Sequence, residues 1–145
     1  MFDITQNPID VNGLLQKVRT EEDGGIALFL GTVRRHSRHE KVIWLEYEAY
    51  PAMALRSFQT IAEEVHRQWG VERISIVHRV GRLQVGDIAV AVVAASPHRK
   101  EAFKACQYAI NRVKEISPIW KKELTEEGCV WVNDACDSQL EVSGV

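Results

Sequence analysis

Cysteine is scarce in this chain of 145 residues: Cys106, Cys129 and Cys136 are all there is. The number is odd and no C-x-x-C pair occurs. That argues against a disulfide framework or a structural zinc site and fits a reducing compartment, the cytoplasm. Long hydrophobic runs are also missing. The longest, such as Ile88 to Ala95, fall far short of the roughly 20 residues that cross a bilayer. Neither sign of charge dominates, the formal net charge being -2. No global pull toward nucleic acid or an anionic membrane follows, so any anion site must come from local clustering. The opening MFDITQNPID has no basic n-region and no apolar h-region, so no secretory signal is expected. Repeats and low-complexity tracts are absent.

What is present is an ordinary globular mixture, 46% hydrophobic and 26% charged, long enough to bury a real core in one domain spanning 1–145. Residues 11–19 suit a short helix after Asp10. GIALFLGTV (25–33) reads as a buried strand, RRHSRHEK (34–41) as a loop and VIWLEYEAY (42–50) as the next strand. Pro51 opens a long helix whose Phe58, Ile61, Ala62, Val65 and Trp69 share one face, and Gly70 ends it. ERISIVHRV (72–80) alternates, with Ile74, Ile76 and Val80 on one side. GRLQVGD (81–87) has Gly near both ends and reads as a turn. IAVAVVAA (88–95) reads as a central strand. Ser96-Pro97 is a helix start, with Ser as the cap. Phe103, Cys106, Ile110 and Val113 mark the buried face of that helix, and Pro118 stops it. Strands are expected over 119–124 and 129–133, around a Thr125 to Gly128 turn. The polar tail, 134–145, is expected to fray. From residue 42 the order is strand, helix, strand, strand, helix, strand, the split βαβ of a ferredoxin-like part. The fold class is α+β, an antiparallel sheet carrying two helices with additional antiparallel strands beside it.

Four places hold polar residues that such a core does not need. Arg34 heads the basic loop at a strand end beside Gly31, where backbone can approach a ligand. The rest of that loop reads as solvated surface. In SPHRK (96–100), His98 and Arg99 sit in the first turn of a helix, where acidic residues are favoured, so an anion is expected there. Lys114, near the end of the same helix, complements the helix dipole and taken alone is structural. In IWKKE (119–123), alternation sends Lys121 and Lys122 to opposite faces, one to solvent and one to a pocket, with Trp120 in the core or lining that pocket. Cys106 reads as buried and inert. No basic residue flanks Cys129 or Cys136 to activate either thiol.

Five strings then fall together in order: GTVR (31–34), LEYEAYPAMA (45–54), HRVGRLQVGD (78–87), SPHRKEAFKAC (96–106) and KEISPIWKKE (114–123). In sequence and spacing they resemble the large, catalytic subunit of molybdopterin synthase over about residues 25–133. The resemblance implies an α/β hammerhead fold with a ferredoxin-like βαββαβ part. It implies a homodimer that binds two copies of a small ubiquitin-like subunit, making a heterotetramer. It also implies an activity: sulfur from the partner's C-terminal Gly-Gly thiocarboxylate enters cyclic pyranopterin monophosphate, giving the dithiolene of molybdopterin. Neither a metal nor a cofactor is implied. Residue by residue, the resemblance assigns Lys114 and Lys121 to catalysis. Arg34, His98 and Arg99 go to substrate binding, with Lys122 and Glu123 at the pocket edge. One departure is that no Lys or Arg follows Lys122, whereas the family often has basic residues in the tail.

Chemistry agrees with those assignments. Arginine grips phosphate bidentately and a helix start adds N–H donors. A thiocarboxylate is already a nucleophile, so the enzyme has to position two species and stabilise oxyanions. A cysteine-persulfide sulfurtransferase using Cys129 or Cys136, and a ferredoxin-like nucleic-acid-binding module using the 34–41 loop, are the alternatives. The negative net charge and the lack of an RNP1-like aromatic string weigh against the second. The helix after Pro97 has a further consequence. If unbroken, it holds His98 and Lys114 roughly 24 Å apart at 1.5 Å per residue. One small substrate cannot span that, so each site is expected to draw on both chains of a two-fold dimer.

Overall fold

The computed structural model describes residues 1–37 and 40–132, which form two sheets and three helices. The first sheet has the order β1-β5-β7-β2, with β1 Phe2–Thr5, β2 Gly25–Thr32, β5 Arg73–Arg79 and β7 Ile88–Ser96. β1 runs parallel to β5 and the other neighbours are antiparallel. The second sheet has the order β3-β4-β8-β9, formed by His36–Ser37, Glu40–Ala49, Ile119–Thr125 and Gly128–Val132. β6 (Gly81–Gln84) pairs with β4.

The continuous apolar run of β7 has a simple cause: it is covered on both faces. Val90, Val92 and Ala94 join the core under the two long helices, α2 (Pro51–Trp69) and α3 (Arg99–Ile116). Ala91, Val93 and Ala95 face the other way, onto Leu14 and Val18 of α1 (Val11–Val18). A central strand so placed has no solvent side and hence no polar alternation. The helix ends follow their residues. Asp10 caps α1, its carboxylate accepting from the Gly13 amide at 3.0 Å. Pro51 occupies the first turn of α2, and Gly70 closes that helix in the left-handed region at φ 68°.

Several sequence expectations change. The order from residue 42 is observed, but β4 and β8 pair with each other in the second sheet, not with β5 and β7. The first sheet takes β2 and β1 instead. The stretch 81–87, read as a turn, contains β6. Its glycines do mark bends, Gly81 at φ 91° and Gly86 at φ 93°, but Leu83 between them is fully buried in a third cluster with Leu45 and Tyr47. The polar stretch after Val33 holds a short strand, β3, paired antiparallel with the start of β4, with Ser37 opposite Glu40. Residues 38 and 39, Cys136 and the tail lie outside the described residues. β1, only four residues long, gave no periodicity to read.

α3 also departs from expectation. Ser96 ends β7 and does not cap the helix; His98 stands at the N-cap position with no side-chain capping bond. Phe103, expected inside, is 66% exposed. The buried stripe is Ala102, Ala105, Cys106, Ala109, Ile110 and Val113. Small alanines let the helix lie close on the sheet. At its start the approach is closer still, for a Cβ on Gly25 would lie 2.9 Å from Arg99 Cα.

Candidate active site

Where the two sheets meet, they enclose with the C-terminal end of α3 a cavity of about 340 Å³. Its apolar wall comes from β2, β4, β7 and α3, with Phe29, Leu45, Val90 and Val113 among the contributors. Its polar side gathers Arg34, Lys114, Lys121 and Glu123, with His36, Ser37, Tyr47 and His78 beside them. Four of the seven residues singled out by sequence therefore share one site. Arg34 arrives there because β2 ends at Thr32 on the cavity rim. Gly31 precedes it on the same wall. A Cβ at that position would lie 2.6 Å from Val90 Cγ1, so the strand can pass here only without a side chain.

Lys114 sits exposed in the last turn of α3, where its charge also complements the helix dipole. Lys121 reaches the same space from β8 and is only 9% exposed. Glu123, two residues on, points to the same face as strand geometry demands and is 3% exposed. Its Oε1 accepts from the Ser37 hydroxyl at 3.1 Å, and its Oε2 lies 4.0 Å from Lys121 Nζ. A buried carboxylate needs such partners, and this one in turn ties a cation to the cavity floor.

The remaining expected residues lie elsewhere. Lys122 is on the opposite face of β8, its ammonium 5.3 Å from the ring centroid of Trp131. Trp120 shares that outer side. It is neither core nor part of the cationic cavity, but lines a second hollow with Tyr50 and Trp131. His98 and Arg99 are exposed at the far end of α3, outside the cavity of this chain. Cys106 is buried on α3, donates from Sγ to the Val92 carbonyl at 3.6 Å, and has its thiol pKa pushed up to about 11 by burial. An inert thiol is the consequence. Cys129 is exposed on β9, and neither it nor Cys106 lines the cavity.

Sequence reasoning missed Ser37, Tyr47 and His78. A signal for His78 existed: the inward row of β5 runs Ile74, Ile76 and then an imidazole, a polar residue on an apolar register. Ser37 and Tyr47 carried none, because Ser37 joins the site through its hydrogen bond to Glu123, 86 residues on, and Tyr47 through strand pairings distant along the chain.

Fold and cavity together define an α+β domain with a partly open cavity that gathers three cationic side chains beside one carboxylate. The chain belongs to the MoaE protein family, whose model matches residues 4–116. The molybdopterin synthase catalytic subunit of Bacillus subtilis (strain 168) is 41% identical over 143 residues, covering 99% of this chain and 91% of the relative. A crystal structure of molybdopterin synthase from Staphylococcus aureus is 44% identical and superposes with a TM-score of 0.87, covering 90% of this chain and 96% of that one. A complex of subunits 1 and 2 of the molybdopterin-converting factor from Helicobacter pylori shares the fold at 22% identity. Its TM-score is 0.74, with 90% of this chain and 89% of that chain covered. Among the described residues no helix is long and apolar enough to cross a membrane.

Proposed function

We propose that this chain, as one cytoplasmic catalytic domain, carries out the sulfur-transfer step of molybdopterin synthesis. The substrate is cyclic pyranopterin monophosphate, and the sulfur comes from the C-terminal thiocarboxylate of a small ubiquitin-like partner. The observation that carries this reading is the meeting of Arg34, Lys114 and Lys121 in one cavity of a MoaE-family chain. Lys114 and Lys121 supply cations where negative charge grows on oxygen as sulfur adds and oxygen leaves. Either can pass a proton to the departing group. Arg34 steadies the phosphate at the rim. The partner's thiocarboxylate is the nucleophile, so no thiol of this chain enters the reaction. Glu123 and Ser37 hold Lys121, and Lys122, on the other face of its strand, is at most peripheral.

His98 and Arg99 serve the site of a second copy. α3 is continuous from Arg99 to Ile116, which separates His98, at its N-cap, from Lys114 by roughly 24 Å at 1.5 Å per residue. A two-fold dimer brings the start of one helix toward the end of the other, and two small partners complete a heterotetramer. The two-subunit Helicobacter pylori assembly supports a partnered enzyme of this fold. Affinity purification of the chain from its own cells tests the reading. A small protein ending in Gly-Gly should accompany it in equal amount. Recovery of the chain with no such companion, under conditions where it is folded and dimeric, would count against the proposal.

A further inference from the structure

The inward positions of β5 run Ile74, Ile76 and His78. The first two belong to the core beneath α2 and α3, while His78, 4% exposed, stands where that core opens into the cavity. On β4, Leu45 is followed on the same face by Tyr47, 8% exposed and also on the cavity wall. The two rings meet edge to face, with centroids 4.8 Å apart and planes at 66°. His78 Nδ1 lies 2.8 Å from the Arg79 carbonyl. A carbonyl oxygen only accepts, so Nδ1 bears a proton and donates it there, which fixes the plane of the ring. An aliphatic pair would fill these places at less desolvation cost. Polar residues retained in such positions suggest a task for them.

Register shows what that task is. Tyr47 stands directly opposite Lys121 across β4 and β8, as Leu45 stands opposite Glu123. Opposed residues of an antiparallel pair have Cβ atoms roughly 5 Å apart, which sets the phenol beside the base of the lysine side chain. Glu123 restrains Lys121 along its own strand, at 4.0 Å, and Tyr47 flanks it from the next. A long lysine side chain otherwise samples many rotamers, and a displacement of about 1 Å at a reacting centre costs much of the rate.

We propose that Tyr47 and His78 are positioning residues for Lys121. His78, fixed by the Arg79 carbonyl, braces the Tyr47 ring, and Tyr47 confines the Lys121 ammonium to the place where it meets the reacting oxygen. This inference rests on the reading that Lys121 takes part in sulfur transfer.

The test is single-turnover conversion of the pterin precursor by the assembled enzyme with thiocarboxylated partner, in Tyr47→Leu, Tyr47→Phe, Lys121→Ala and the Tyr47→Leu/Lys121→Ala double variant. Leucine removes the ring, while phenylalanine keeps the ring and its packing and should hold the rate within about twofold of wild type. The expected result for Tyr47→Leu is a maximal rate at least about tenfold lower, with half-saturation for precursor within about twofold of wild type. The double variant should be no slower than Lys121→Ala, within about twofold, because a residue acting through the lysine has nothing left to position. His78→Gln should reproduce the Tyr47→Leu loss, and if it fails to fold, the Tyr47→Leu cycle still decides. Retention of more than half the rate by Tyr47→Leu overturns the inference, and so does a loss that multiplies onto that of Lys121→Ala. Full activity of Lys121→Ala removes the underlying reading as well, which separates the two failures.

Discussion

Lys114 is a residue whose structural role and proposed chemical role coincide in place but differ in consequence. At the end of α3 its charge is worth only about 0.3–1 kcal/mol to the helix. Lys114→Ala should therefore leave the thermal transition and partner binding nearly unchanged while turnover falls more than tenfold. Steady-state rates alongside a melting curve check this, and a variant that keeps over a tenth of the rate excludes a catalytic role. Lys121→Ala should be similarly damaging, and Lys122→Ala, on the outer face, clearly milder. At this scale the sequence was informative where one residue type in one position had few structural explanations. Arg34 and Lys121 stood out in this way and share the cavity, whereas Glu123, also there, was indicated only by the family resemblance. It was uninformative where burial depends on the neighbour's size. Phe103 was assigned to the core by its apolarity, but alanines fill the stripe facing the sheet, and the ring is left outside.

Elements whose limits are set by local chemistry were legible: Asp10 capping α1, Pro51 and Gly70 bounding α2, and the doubly covered β7. Those set by distant pairing were not. β6 exists because β4 offers it an edge, and β1 because β5 does, while β3 is a local pairing too short and polar to read. The close approach of β2 to α3 can be tested directly. Gly25→Ala puts a methyl within 2.9 Å of Arg99 Cα, a backbone atom that cannot swing aside. A loss of about 1–3 kcal/mol in denaturant unfolding is expected. A second device ties the loop before β2 to β5. The Asp23 carboxylate, almost wholly buried, accepts from Arg73 and from the Thr20 amide, at 2.8 Å for the latter. Hydrogen bonding from Arg73 holds the Asp23 carboxyl below its ordinary value. Because the folded-state pKa is depressed, the stability this group contributes is present in full above the unfolded value, near 3.9, and is lost as pH falls through the folded one. Asp23→Asn should cost about 1–3 kcal/mol at neutral pH. The gap between variant and wild type should narrow steadily below about pH 4 in urea titrations.

At the scale of the whole molecule, His98 and Arg99 are separated from Lys114 along one unbroken helix, so the role proposed for all three makes the assembly part of the chemistry. Mixing inactive Arg99→Ala and Lys114→Ala chains should restore activity, since a mixed dimer holds one intact site and one with both lesions. Mixed dimers that form and stay inactive would place His98 and Arg99 outside the reaction. The source of sulfur is the deeper question, and the cysteines give access to it. Neither described cysteine lines the cavity, and the Cys106 thiol is pushed away from ionisation by burial. The most direct measurement is precursor conversion by a chain with Cys106, Cys129 and Cys136 all changed to serine, confirmed as folded. It should be assayed with the small partner in its thiocarboxylate form and, separately, in its carboxylate form. Molybdopterin should appear at a rate comparable to wild type with the thiocarboxylate and not at all with the carboxylate. Loss of conversion in the folded cysteine-free chain, or conversion without a thiocarboxylated partner, would contradict the account and restore a persulfide on this chain as the sulfur carrier.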